Sequence, residues 1–159
     1  MCRLSAPTVC CLSLVSVVLL AGRDAPAQEF VAEPDRELVA LGDKTTQFLT
    51  DVAMGETRAA FDTLLEGSHL ANQEKALRAL VEKTKELATK YGKQIGSEQI
   101  AAKRVGKDLV LLKYLYKCEQ FPVVWYFAYY RTPNKTAPKK NTWRVVSVRF
   151  DTDLEQLWF

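Results

Sequence analysis

The chain is poor in the residues that metal and nucleophilic chemistry use, with 1 histidine and 4 cysteines among its 159 residues. Three of those cysteines, Cys2, Cys10 and Cys11, fall in the N-terminal stretch, so beyond it only Cys118 and His69 remain. One thiol and one imidazole far apart in sequence have no ligand spacing, and no metal site is expected. A catalytic cysteine needs a histidine partner, and His69 sits in a segment that connects helices. The 7 glycines are scattered and none forms a Gly-rich turn between strand and helix. Phosphate-loop and dinucleotide motifs are therefore absent and no cofactor is expected. Charge of one sign is also scarce, with 22 basic against 19 acidic residues, which argues against a nucleic-acid partner. The apolar run from Leu12 to Gly22 is only about half the roughly 20 residues of a membrane-spanning helix.

What that run does have is the layout of a secretory signal. Arg3 precedes it, Arg23 and Asp24 close it, and Ala25-Pro26-Ala27 place small residues before a cut at Gln28. A signal peptide over 1–27 is expected, with a short polar leader at 28–34, a domain over 35–159, and an exported product, periplasmic or extracellular in a bacterium. Cys10 and Cys11 precede the apolar run, where lipidation needs a cysteine just after it, so no lipid or other stable membrane anchor is expected after cleavage. Cys118 would then be the lone cysteine, with no internal disulfide, and its strand-like setting predicts burial. Charge divides unevenly: residues 28–92 carry 8 basic and 12 acidic side chains, and residues 93–159 carry 12 and 6. A mild dipole follows.

Apolar residues at Leu38, Leu41, Phe48, Leu49 and Val52 have helical spacing, with Pro34 suited to the first turn and Gly55 to the stop. A second, shorter helix is predicted from Ala59 to Leu65, ending near Gly67, and a third from Leu77 to Tyr91, ending at Gly92. The third carries Glu74, Arg78, Glu82, Glu86 and Lys90 at four-residue intervals, the mark of a solvated face. From Gln94 the period changes to two, and four strands are predicted near 95–105, 108–118, 123–132 and 142–151. Gly106-Lys107-Asp108, Glu119 to Pro122 and the polar loop Pro133 to Asn141 mark the turns. Asn134-Lys135-Thr136 matches a glycosylation acceptor, a chance match on a bacterial reading, and Lys135, Lys139 and Lys140 read as a solvated loop.

The turn before Val123 predicts the pairs Cys118 with Val123, Tyr116 with Trp125 and Tyr114 with Phe127. One sheet face then gathers Val110, Leu112, Tyr114, Tyr116, Trp125, Phe127 and Tyr129. The other carries Lys113, Leu115 and Lys117 beside Val124, Tyr126, Ala128 and Tyr130. On the last strand Val146, Val148 and Phe150 are placed with the aromatic face, and Trp143, Val145, Ser147 and Arg149 opposite. Two candidate sites follow: a ligand pocket of Tyr114, Tyr116, Trp125, Phe127 and Tyr129, and an interface of Leu115, Val124, Tyr126 and Tyr130, through which a homodimer could form. No catalytic residue is assigned, since no Asp, Glu or His falls on the aromatic face; Glu98 and Asp62 are unplaced.

Three helices before four antiparallel strands make an α+β domain. Phe48-Leu49, Gly55-Glu56 and Ala59 to Leu65 resemble the first helix, linker and second helix of the NTF2-like superfamily, and Trp125 to Tyr130 and Trp143 to Phe150 its central and closing strands. The resemblance implies a curved four-stranded antiparallel sheet forming a cone with the three N-terminal helices packed on it. It implies a pocket between sheet and helices but no chemistry, because members range from isomerases to binding modules. Three readings stand: a non-catalytic exported domain binding a small apolar ligand or a protein partner; an isomerase or dehydratase using pocket tyrosines and an unplaced carboxylate; and a structural accessory subunit of the envelope with a filled interior.

Overall fold

The computed structural model describes residues 35–131 and 142–157. The expected signal peptide, the leader with Pro34, the glycosylation match and the loop lysines all lie outside the described residues. Three helices are followed by a four-stranded antiparallel sheet, an α+β arrangement. Asp35 starts the first helix, α1 (Arg36–Ala53): its Oδ1 accepts from the backbone N–H of Glu37 (3.1 Å) and Leu38 (3.3 Å), satisfying donors that the first turn leaves open. Leu41, Thr45, Phe48, Leu49 and Val52 form its buried stripe. Helix α2 (Thr57–Leu64) buries Ala60, Phe61 and Leu64, and α3 (Glu74–Tyr91) buries Leu77, Val81, Thr84 and Leu87. Each buried Leu or Phe contributes about 1.5–3 kcal/mol. On the far side of α3, Glu74 meets Arg78 (3.6 Å) and Glu86 meets Lys90 (2.8 Å), as the charge spacing predicts.

The strands are β1 (Gln94–Val105), β2 (Leu109–Cys118), β3 (Val123–Arg131) and β4 (Trp143–Asp151), in sheet order β1-β2-β3-β4. Between α2 and α3 a 3-10 turn, His69–Asn72, is tied to the sheet by Ser68, whose Oγ donates to the Val145 carbonyl and accepts from Leu70 N–H.

All three expected pairings are corrected. Tyr114 faces Trp125 and Tyr116 faces Val123, two residues from the predicted register. The β2–β3 ladder ends at Tyr116 with Val123, so Cys118 has no β3 partner and the connection begins earlier than the turn residues suggest. On the β1 side Cys118 pairs with Gln94, and the next two amides donate to the Lys93 and Tyr91 carbonyls. A shift of two preserves the faces. On β4, a bulge opposite Ala128 and Tyr129 leaves Val146 unpaired and 46% exposed. The extra residue reverses the alternation beyond it. Val148 and Phe150 pack against the core as expected, but so do Val145 and Trp143, which the alternation places outside.

Gly92 ends α3 at φ +82, where a Cβ would lie 2.9 Å from Glu119 Cβ. Gly92→Ala is expected to lower unfolding free energy by about 1–3 kcal/mol from the backbone alone, with the clash added. Gly106, at φ +63 with nothing within 4 Å of such a Cβ, is the comparison: denaturant unfolding should rank its Ala variant as the milder of the two.

Candidate functional site

The five aromatic residues assigned to a ligand pocket do come together, and they meet other side chains. Trp125 stacks on Phe127 with centroids 5.8 Å apart and planes at 10°. Phe48 of α1 drives its edge against Phe61 (4.9 Å), Trp125 (5.6 Å) and Phe127 (5.7 Å), and Phe150 closes on Trp125 from β4 (4.8 Å). Trp125, Phe127 and Tyr129 are at most 1% exposed.

Two of the hydroxyls on this face, those of Tyr129 and Tyr114, are hydrogen-bonded. Thr45 donates to the Leu41 carbonyl (2.8 Å), so the 2.7 Å contact between Thr45 and Tyr129 has the phenol as donor. Tyr114 donates to the Gly42 carbonyl (2.9 Å) and meets the Gln99 side-chain amide (2.8 Å). Gly42 permits this approach, because a Cβ there would stand 3.0 Å from Gln99. Burial pushes the Tyr129 and Tyr116 phenols up to about 12. Of the five, Tyr116 lines a cleft of about 670 Å³ between the ends of α1 and α3, with Val52, Met54, Thr57 and Leu87, and Phe127 borders the groove on the outer face.

The unplaced carboxylates stand elsewhere. Glu98 projects from the opposite face of β1 to Lys117 Nζ (2.7 Å), which holds its carboxyl below the usual range. Asp62 lies on the exposed side of α2 against Arg58 (3.1 Å). Glu119 accepts from Lys93 N–H (3.1 Å), and Asp151 from the N–H groups of Thr152 and Asp153. Cys118 is buried, which pushes its thiol up. Among the described residues no three His, Cys, Asp or Glu side chains gather as a metal site requires, and no helix is long and apolar enough to cross a membrane.

Strand register arranges the outer face in cross-strand rows. One runs Lys103, Leu111, Ala128, Ser147; the next runs Ala101, Lys113, Tyr126, Arg149. Small side chains at Ala101, Ala128 and Ser147 leave a groove of about 420 Å³ between Leu111 and Tyr126. The Tyr126 ring is flanked by Arg149 (4.4 Å) and Lys113 (5.3 Å), each within cation–π range. Of the expected interface residues, Tyr130 is 40% exposed, Tyr126 and Leu115 are half-buried, and Val124 has no exposed surface. Lys103, Ser147 and Arg149 were not singled out as site residues by periodicity. Strand alternation already puts Ser147 and Arg149 outside, but their place beside Ala101 and Tyr126 depends on register.

At one end of the sheet Trp143 lies between two guanidinium groups, Arg104 (5.4 Å) and Arg131 (4.8 Å). Asp35 and Glu37 from the start of α1 bind Arg104 (2.8 and 3.1 Å), and Glu37 and Asp108 bind Arg131 (2.7 and 3.1 Å). This cluster anchors the helix N-terminus, whose dipole favours acidic neighbours, and the Arg104 bond lowers the Asp35 carboxyl. Compared with known proteins, the chain matches no family model, no characterised protein and no solved structure.

Proposed function

We propose that the chain is an exported, non-catalytic domain of the NTF2-like type that holds a protein partner on the outer face of its sheet. The observation that carries this reading is the contrast between the faces: rings fill the inner one, while the outer has an open groove bordered by Leu111 and Tyr126. The order of three helices and four antiparallel strands supports the superfamily assignment, and the Arg3, Leu12 to Gly22 and Ala25-Pro26-Ala27 pattern supports export. Interfaces favour such surfaces, in which aromatic anchors are bordered by charge.

Amine-reactive cross-linking in the cells that make the protein, followed by mass spectrometry, tests both parts. The recovered chain should begin near Gln28, and cross-links to its partner should fall on Lys103, Lys113 or Lys117. Links confined to Lys75, Lys83, Lys85 and Lys90 of α3 would refute the assignment of the face. The cleft beside Tyr116 supports a second reading, a small apolar ligand held between α1 and α3; a small molecule retained by the native protein in mass spectrometry would favour it.

A further inference from the structure

The chemistry of the outer groove narrows the partner's class. Its lining includes Lys103, Lys113 and Arg149 and no carboxylate. Arg58, Arg104 and Arg131 are each held by two carboxylates, whereas Arg149 lies on the Tyr126 ring. Neither Arg149 nor Lys103 has an ion-pair partner among the described residues, and both are exposed. The carboxylates nearest this face are occupied: Glu98 binds Lys117, Asp151 caps backbone N–H groups, and Asp153 accepts from Glu155 N–H.

We propose that this groove binds an acidic segment of a partner protein, with carboxylates meeting Lys103 and Arg149 and an apolar side chain seated on Leu111 and Ala128. This rests on the outer-face reading above. From β1 to β4 the groove crosses three strand spacings of about 4.8 Å, or about 14 Å, the length of about four extended residues. A guanidinium resting on a ring keeps its N–H edges available to a carboxylate. A second copy is a poor occupant, since two-fold pairing over this groove sets Lys103, Lys113 and Arg149 against the same three cations.

The test uses the full-length processed chain and a fluorescein-labelled peptide, Glu-Leu-Glu-Phe-Glu-Leu-Glu, followed by anisotropy, with its all-Gln counterpart as control. The acidic peptide should bind at least about tenfold more tightly than the Gln peptide, and more weakly as salt rises. The Lys103→Glu/Arg149→Glu variant should lose about tenfold while melting like the parent, because both side chains are exposed. Equal binding of the two peptides, absence of binding, or binding that survives the double reversal would overturn the proposal. So would preferential binding to phosphatidylglycerol vesicles, or sedimentation as a dimer that Ala128→Arg dissociates.

A photo-cross-linker at Ala128, used in the cells that make the protein, separates this inference from the reading beneath it. An acidic partner segment attached there supports both. A non-acidic protein segment overturns the acidic class and leaves the face assignment standing, and no attached protein overturns both.

Discussion

Phe48→Ala is expected to lower the unfolding free energy by about 3–5 kcal/mol, the range for removing a buried ring that cannot be refilled. Phe48 is 3% exposed and sets its edge against three other rings, Phe61, Trp125 and Phe127. Edge-to-face contacts add about 0.5–1.5 kcal/mol each beyond the area buried. A domain of this size has about 5–15 kcal/mol in total, so the melting temperature should fall by about 10 °C or more. Tyr126→Ala on the outer face, half-buried and outside the aromatic core, should cost far less. Thermal and urea unfolding of the two variants decides what the aromatic face is for. A loss below about 1 kcal/mol for Phe48→Ala would mean that the rings do not hold the fold and that a ligand could displace them.

Raising the pH should unfold the protein between about pH 10 and pH 12. Burial holds the Tyr116 and Tyr129 phenols at about 12, against an ordinary value near 10. The folded state therefore keeps these protons more tightly than the unfolded chain. The associated stability is complete below pH 10 and is lost as pH climbs toward 12. For Tyr129, which has no exposed surface, it amounts to about 2–3 kcal/mol. Phenolate absorbance and far-ultraviolet circular dichroism should change together for these residues. Native-like ellipticity with every tyrosine ionised near pH 10 would contradict the buried hydroxyl arrangement. Tyr129→Phe should shift the alkaline midpoint upward while costing about 1 kcal/mol at neutral pH, the net worth of the lost hydrogen bond to Thr45.

The candidate surfaces were legible in part. Alternation alone sorts Tyr114, Tyr116, Trp125, Phe127 and Tyr129 onto one side and Lys113, Leu115, Tyr126 and Tyr130 onto the other, because a pleated strand turns successive side chains to opposite faces whatever its partner. It does not say that Val124 is covered, or that Lys103 and Arg149 end adjacent rows. Those facts depend on which residues stand opposite one another across four strands. Trp143 shows the limit most clearly. Its period from Phe150 places it outside, yet one bulged residue at Val146 brings it inward between Arg104 and Arg131.

The sequence by itself determined the elements: three helices from 3.6-residue periodicity, their ends from Gly55, Gly67 and Gly92, and four strands from the change to period two after Gln94. These are local properties, set by backbone sterics and by which face must leave water. The tertiary structure alone decided the β2–β3 register, the bulge on β4 and the ring packing of Phe48 against Trp125 and Phe127. It alone decided, too, that the outer rows leave a cation-lined groove. Each of these depends on contacts between residues distant in the chain, whose energies compete only once helices and sheet are packed together.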